Sequence, residues 1–162
     1  MHMSRFILCR IAEDFGITIS FAPKLFEGWA GAGGHINFST KTMRNGSKGW
    51  KYIDKIMERL EDKHELHMSL YGEDNHLRMT GLHETAEMEE FSYGVGNRAA
   101  SIRIPTETAH AQGAGYIEDR RPGSNLEPYL TCALFYDTCV YEKTNAKPML
   151  DHYYNWVEER KE

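Results

Sequence analysis

GYIEDRRP, Gly115 to Pro122, is the stretch on which the fold turns. Tyr116, Glu118 and Arg120 alternate with Ile117 and Asp119, so the segment reads as a strand with one polar face. HINFS, His35 to Ser39, repeats the pattern, with His35, Asn37 and Ser39 opposite Ile36 and Phe38. In ASIRIP, Ala100 to Pro105, Ser101 and Arg103 stand opposite Ile102 and Ile104. Each of these segments sets an apolar row against a polar one, the pattern of an antiparallel sheet covered on one side only.

Outward from these strands the periodicity changes. Phe6, Ile7, Ile11 and Phe15 recur at helical spacing, with Gly16 at a left-handed stop position. ITISFAP, Ile17 to Pro23, alternates and predicts a further strand, followed by a glycine-rich loop, Gly28 to Gly34. From Ser47, a plausible cap, to about Leu70, Trp50, Ile53, Ile56, Met57, Leu60 and His64 share one helical face, which predicts a helix covering the sheet. Helices over about 128–141 and 148–160 close the chain. The expected architecture is one α+β domain over residues 1–162, a largely antiparallel sheet with helices on one face and a polar face open.

The formal net charge of −5 argues against a general nucleic-acid binder, so any bound anion must be met by local arginines. No apolar run approaches the roughly 18–20 residues of a membrane span and no signal peptide is evident, so the expectation is a cytoplasmic protein with no membrane partner. Cys9, Cys132 and Cys139 form an odd set without a CxxC pair and read as three small core residues. His64 and His67 lack a third ligand nearby and read as surface or helix-packing histidines. Gly94, Gly96 and Ala99 imitate a dinucleotide fingerprint, but a strand follows them, so no helix N-terminus meets a pyrophosphate. There is no GxxxxGK[ST] loop either.

Four segments in order, GAGGHINFS (31–39), RMTGLHET (78–85), NRAASIRIP (97–105) and GYIEDRRP (115–122), closely resemble the C-terminal half of the catalytic domain of glutamine synthetase, of the eukaryotic-like type. The likeness runs from about Arg5 to about Thr131. It implies part of that family's catalytic barrel, and a ligase that joins ammonia to the side-chain carboxylate of glutamate at the expense of ATP. By resemblance, His35 and Glu118 bind Mg2+ or Mn2+. Arg98 stabilises the transferring phosphoryl group, and Ser39, Arg103 and Tyr116 contact ATP. Gly31, Arg78 and Arg120 hold glutamate, while Glu84, on a mobile flap, takes a proton from the ammonium nucleophile. A closing flap suits an acyl phosphate, which water would otherwise hydrolyse.

The residues admit a plainer reading too. A lone arginine in an apolar strand pairs with an internal acid, here Asp119 or Glu118, and a glutamate in a turn is a surface residue. Relative to the family, the N-terminal β-grasp domain and the first part of the barrel are missing, and most metal-binding carboxylates with them. Ala30 stands where an asparagine usually helps to fix the amino acid. The expected partners are therefore ATP, glutamate and ammonia, with either further copies of the chain or a complementary synthetase half pairing at the strand edges. The alternative is a non-catalytic nucleotide- or carboxylate-binding or regulatory subunit.

Overall fold

A computed structural model describes residues 1–45 and 48–141. Helix α1 (His2–Asp14) ends as the sequence predicts, with Gly16 at φ +63°. Strand β1 (Ile36–Phe38) follows, then α2 (Gly49–Asp62), α3 (His64–Leu70) and a 3-10 turn, Asn75–Leu77. Next come β2 (Tyr93–Val95), β3 (Ile102–Ile104), the short α4 (Thr106–His110) and β4 (Ile117–Asp119). Helix α5 (Pro128–Tyr136) runs on into a π-helical turn, Asp137–Tyr141. Pro128 at the first turn and the Glu127 carboxylate, which accepts from the Leu130 amide at 2.6 Å, start α5.

The four strands form one sheet in the order β1-β4-β3-β2, antiparallel except for the β2/β3 pair, and it is not closed into a barrel. Its register aligns Asn37, Glu118, Arg103 and Gly94 across one face, and Ile36, Asp119, Ile102 and Tyr93 across the other. The second face is covered as expected. Ile53, Ile56, Met57 and Leu60 of α2 pack on Ile102, Ile104 and Ile117, joined by Phe135 and Cys139, with Ile36 and Phe38 at the margin. Spacing of i, i+3, i+4 and i+7 puts the four α2 residues on one stripe.

Several expectations fail. The single helix ending at Leu70 is two, broken at Lys63, where ψ opens to 18°. Residues 17–22 form no strand despite their alternation, because among the described residues no strand lies beside them to complete a ladder. Cys9 and Cys132 are exposed and only Cys139 is a core residue, all three free. Ser47 and the helix expected at 148–160 lie outside the described residues. His64 and His67 are indeed packing residues, both buried.

Candidate active site

Strand β4 sets the site, because its parity sends Glu118 to the open face. Asn37 lies opposite Glu118, so His35 is its diagonal neighbour on that face, and His35 Nδ1 stands 3.1 Å from Glu118 Oε1. From the other side, Arg103, directly paired with Glu118, donates Nε to Oε2. Arg120 adds Nη1, 3.4 and 3.3 Å from the two carboxylate oxygens. Burial would raise the Glu118 pKa, but the hydrogen bond from Arg103 and the charges of Arg120, Arg103 and His35 outweigh it and hold the carboxyl below its usual range. His35 is pushed down, first by burial and then by Arg120, with Glu118 opposing.

Arg120 also reaches beyond the sheet. Its Nε donates to the carbonyl of Arg98 at 3.0 Å and its Nη2 to that of Glu84 at 3.3 Å. One guanidinium thus ties the Glu118 carboxylate to two loops. On those loops Glu84 and Arg98 meet at 3.4 Å, both well exposed. Arg98 therefore sits in an open turn rather than in a strand. The Glu84 loop is backbone-strained: Gly81, His83 and Glu84 have φ of +71°, +54° and +61°.

Arg78 lies behind the open face and is 5% exposed. Its Nη2 donates to the carbonyls of Arg121, Arg120 and Pro122, and its Nε to Asn75 Oδ1. Burial, with help from Arg120, pushes its pKa down to about 10. Gly31 is required there, since a Cβ would lie 2.4 Å from Arg78 Cγ and 2.6 Å from the Pro23 carbonyl. Gly33 plays the same part for His35, whose Nε2 would be 2.6 Å from an added Cβ. At the far end, Ser39 donates to the Gly115 carbonyl at 2.6 Å and accepts from Arg44, and Tyr116 is partly exposed.

The structure therefore brings His35, Arg103, Glu118 and Arg120 into direct contact, links Glu84 and Arg98 to them through Arg120, and stacks Gly31 on Arg78. Ser39 and Tyr116 lie one residue outside β1 and β4, and their hydrogen bonds run to Gly115 and Thr108 rather than to Glu118. The plainer pairing is also present, since Arg103 and Arg120 share the Glu118 charge. As a metal centre the set is incomplete. Among the described residues no three His, Cys, Asp or Glu side chains are grouped to hold a cation, and the two candidate ligands are engaged with each other and with arginines.

Sequence reasoning missed what lies directly beneath. Asp119 and Arg121, both fully buried, pair through Nη2–Oδ2 at 2.7 Å and Nε–Oδ1 at 3.0 Å, with the Arg121 guanidinium against the rings of both Tyr71 and Phe91. Tyr71 donates its hydroxyl to Asp119 at 2.8 Å. That oxygen accepts from His67 Nδ1, which leaves Nε2 to accept from Thr138 Oγ1 at 2.9 Å. His64 accepts from Arg121 on Nδ1 and donates from Nε2 to the Met88 carbonyl. Both histidines are neutral in this arrangement, and burial, then the Arg121 charge, pushes His67 down to about 3. The signal was in the parity: Arg121 shares its side of the strand with Ile117 and Asp119.

No family model matches the chain. Among curated proteins it is 53% identical to glutamine synthetase of Suillus bovinus over 142 residues, which is 87% of this chain and 40% of that protein. It is 53% identical to glutamine synthetase of Saccharomyces cerevisiae over 145 residues, 89% of this chain and 39% of that one. The chain is a glutamine synthetase homologue. It spans about 40% of the length of the curated relatives it matches, in keeping with the partial likeness read from its four segments. Among the described residues no helix is long and apolar enough to cross a membrane.

Proposed function

We propose that this chain, 1–162, is one domain contributing the C-terminal part of a glutamine synthetase site. The reaction is transfer of the ATP γ-phosphoryl to the side-chain carboxylate of glutamate, followed by displacement of phosphate by ammonia. The observation that carries this reading is the convergence of His35, Arg103 and Arg120 on Glu118, with Arg120 joined to both the Glu84 and Arg98 loops. A cluster of guanidiniums around a carboxylate supplies the electrostatic clamp that phosphoryl transfer needs. Arg98 and Arg103 would steady phosphate oxygens, with Ser39 and Tyr116 towards the nucleotide. Gly31, Arg78 and Arg120 would set the amino acid, and Glu84 would accept the ammonium proton as its loop excludes water. Mg2+ or Mn2+ would neutralise phosphate charge, with His35 and Glu118 as two of its donors and carboxylates from the part of the synthetase outside the matched span as the others. The setting proposed is the cytoplasm, with no nucleic-acid partner.

The second reading, a non-catalytic nucleotide- or carboxylate-binding subunit, is favoured by the Glu118 carboxylate already being neutralised by two arginines. A coupled assay of phosphate release dependent on ATP, glutamate and ammonium separates the two. The expected result is no turnover by residues 1–162 alone and turnover when the part of a relative's sequence outside the matched span is supplied in trans. Ordinary enzymatic turnover by residues 1–162 alone would overturn the shared-site proposal, and none with that part bound would leave the binding-subunit reading standing.

A further inference from the structure

Arg78 carries a buried charge that no acid contacts. Every acceptor it meets among the described residues is neutral: the carbonyls of Arg120, Arg121 and Pro122, the Met79 sulfur and Asn75 Oδ1. The acid whose charge favours it is Asp119, which is already paired with Arg121. With its pKa pushed down only to about 10, the guanidinium stays charged at neutral pH. A buried cation held by neutral dipoles alone is costly, and a carboxylate arriving beside it offsets that cost.

Geometry sets the side from which such a carboxylate arrives. Nη2 donates to the three carbonyls and Nε to Asn75, whereas Nη1 has no partner among the described residues. A Cβ built on Gly33 would stand 3.3 Å from Nη1 and 2.6 Å from His35 Nε2, so both nitrogens border one gap beside the open face. The guanidinium is planar, and fixing Nε and Nη2 fixes where Nη1 points. The carbonyls all accept at a single nitrogen, about which the plane could swing. Asn75 is the residue that stops the swing, by holding Nε.

Asn75 is built in firmly enough to do so. It is 1% exposed and opens the 3-10 turn, and its backbone carbonyl accepts from the Arg78 and Met79 amides. Its Oδ1 accepts from Arg78 Nε at 3.1 Å, and its Nδ2 donates at 2.7 Å to the Arg121 carbonyl, the same oxygen that takes Arg78 Nη2 at 2.6 Å. Amide, guanidinium and carbonyl thus close a ring. An added Cβ on Gly123 would stand 2.9 Å from Asn75 Oδ1, so the chain after Arg121 also packs on the amide.

We infer that Asn75 is a positioning residue: it aims the Nη1 edge of Arg78 at a carboxylate of the bound amino acid while bringing no charge of its own. The inference rests on the shared-site reading above for the choice of ligand.

The test titrates L-glutamate into the 15N-labelled chain and follows the Arg78 Nε–H signal, assigned by its loss in Arg78→Lys. In the wild type that signal should exchange slowly with solvent and shift as glutamate is added. Asn75→Ala should speed its exchange and weaken glutamate binding, each roughly tenfold, the scale of one hydrogen bond to a charged group. Asn75→Asp keeps an acceptor for Nε and supplies a counter-charge, so it should leave the signal protected and still weaken binding by a similar factor. Ile56→Val, a core truncation on α2, controls for lost stability and should change neither readout. Unchanged exchange and affinity in Asn75→Ala, or equal losses in Ile56→Val, overturns the inference. If Asn75→Ala fails to fold, Asn75→Asp decides, and undiminished affinity in it overturns the inference. A protected wild-type signal that glutamate never shifts instead sinks the reading of Arg78 as a holder of glutamate, and faster exchange in Asn75→Ala would then show an anchor without that ligand.

Discussion

Residues 118–121 place two acid–arginine pairs on opposite faces of one strand. Glu118 and Arg120 look out and Asp119 and Arg121 look in, and the same residue types come to do different things. The inner pair is sealed: two bonds join its members, two aromatic rings contact the guanidinium, and Tyr71 and His64 take up remaining donors and acceptors. The outer pair is shared, since Glu118 is divided among Arg103, Arg120 and His35, and Arg120 among Glu118 and two loops. A sealed pair has one arrangement and serves structure. A shared pair, with more than one partner within reach of each group, can exchange partners, which is what binding an anion or a cation requires.

The sharpest way to break the contrast is to open the sealed pair from one side. Arg121→Ala leaves a buried carboxylate without its counter-charge, and such losses cost about 3–5 kcal/mol. Urea unfolding should show this as a large fall in midpoint, if the variant folds at all. A change under about 1 kcal/mol would mean that the interior is wet enough to solvate Asp119, and the contrast drawn here would collapse.

The next effect is one of pH. His67 belongs to the sealed side, neutral between Tyr71 and Thr138 with its pKa pushed down to about 3. In the unfolded chain it returns to about 6.5. Between those values the unfolded state binds a proton that the folded state refuses, so stability falls as pH drops below 6.5. The slope is at most about 1.4 kcal/mol per pH unit, which gives roughly 2 kcal/mol lost by pH 5. His67→Gln keeps hydrogen-bonding groups and removes the titration. Unfolding curves at pH 7, 6 and 5 should show most of that loss gone, and an identical loss in variant and wild type would place the acid sensitivity elsewhere. His64, also held low by burial, adds in the same direction.

How far this contrast was legible in the sequence depends on what each residue needed from elsewhere. Two-residue alternation was enough to put His35, Arg103 and Glu118 on one face, because each strand carries its own parity. The α2 stripe was likewise local. Asp119 was read as opposite Glu118, but Arg121 lies past the strand's end, where arginine is expected to find water, and only Tyr71, Phe91 and His64 from other elements make its burial tolerable. The reverse error occurred at residues 17–22, where the pattern is that of a strand and the neighbour is absent. The break at Lys63 carries no glycine or proline to announce it. Contact between Glu84 and Arg98 depends on Arg120 drawing in two loops, which spacing cannot show.

The smallest expected effect on stability, and the most informative for chemistry, comes from neutralising the outer carboxylate. Glu118→Gln keeps the shape and the acceptor facing Arg103 while removing the charge. Glu118 is buried, and the Arg120 side chain beside it is only 12% exposed, so water compensates in part and stability should fall by about 1–2 kcal/mol, less than on opening the inner pair. Binding should respond as well. With its internal counter-charge gone, the Arg98, Arg103 and Arg120 face becomes more positive, and a unit charge removed at this range is worth on the order of 1 kcal/mol even where water screens most of it. ADP titrated calorimetrically without divalent cation should bind roughly fivefold more tightly to the variant, a factor corresponding to that energy. Added Mg2+ should improve binding to the wild-type chain more than to the variant. Weaker metal-free binding by Glu118→Gln, with its fold intact by circular dichroism, would show that the carboxylate organises the arginines more than it occupies them. Glu118 and Arg120 would then be a second structural pair, partly open to solvent, and the difference between the two faces of β4 would be one of exposure alone.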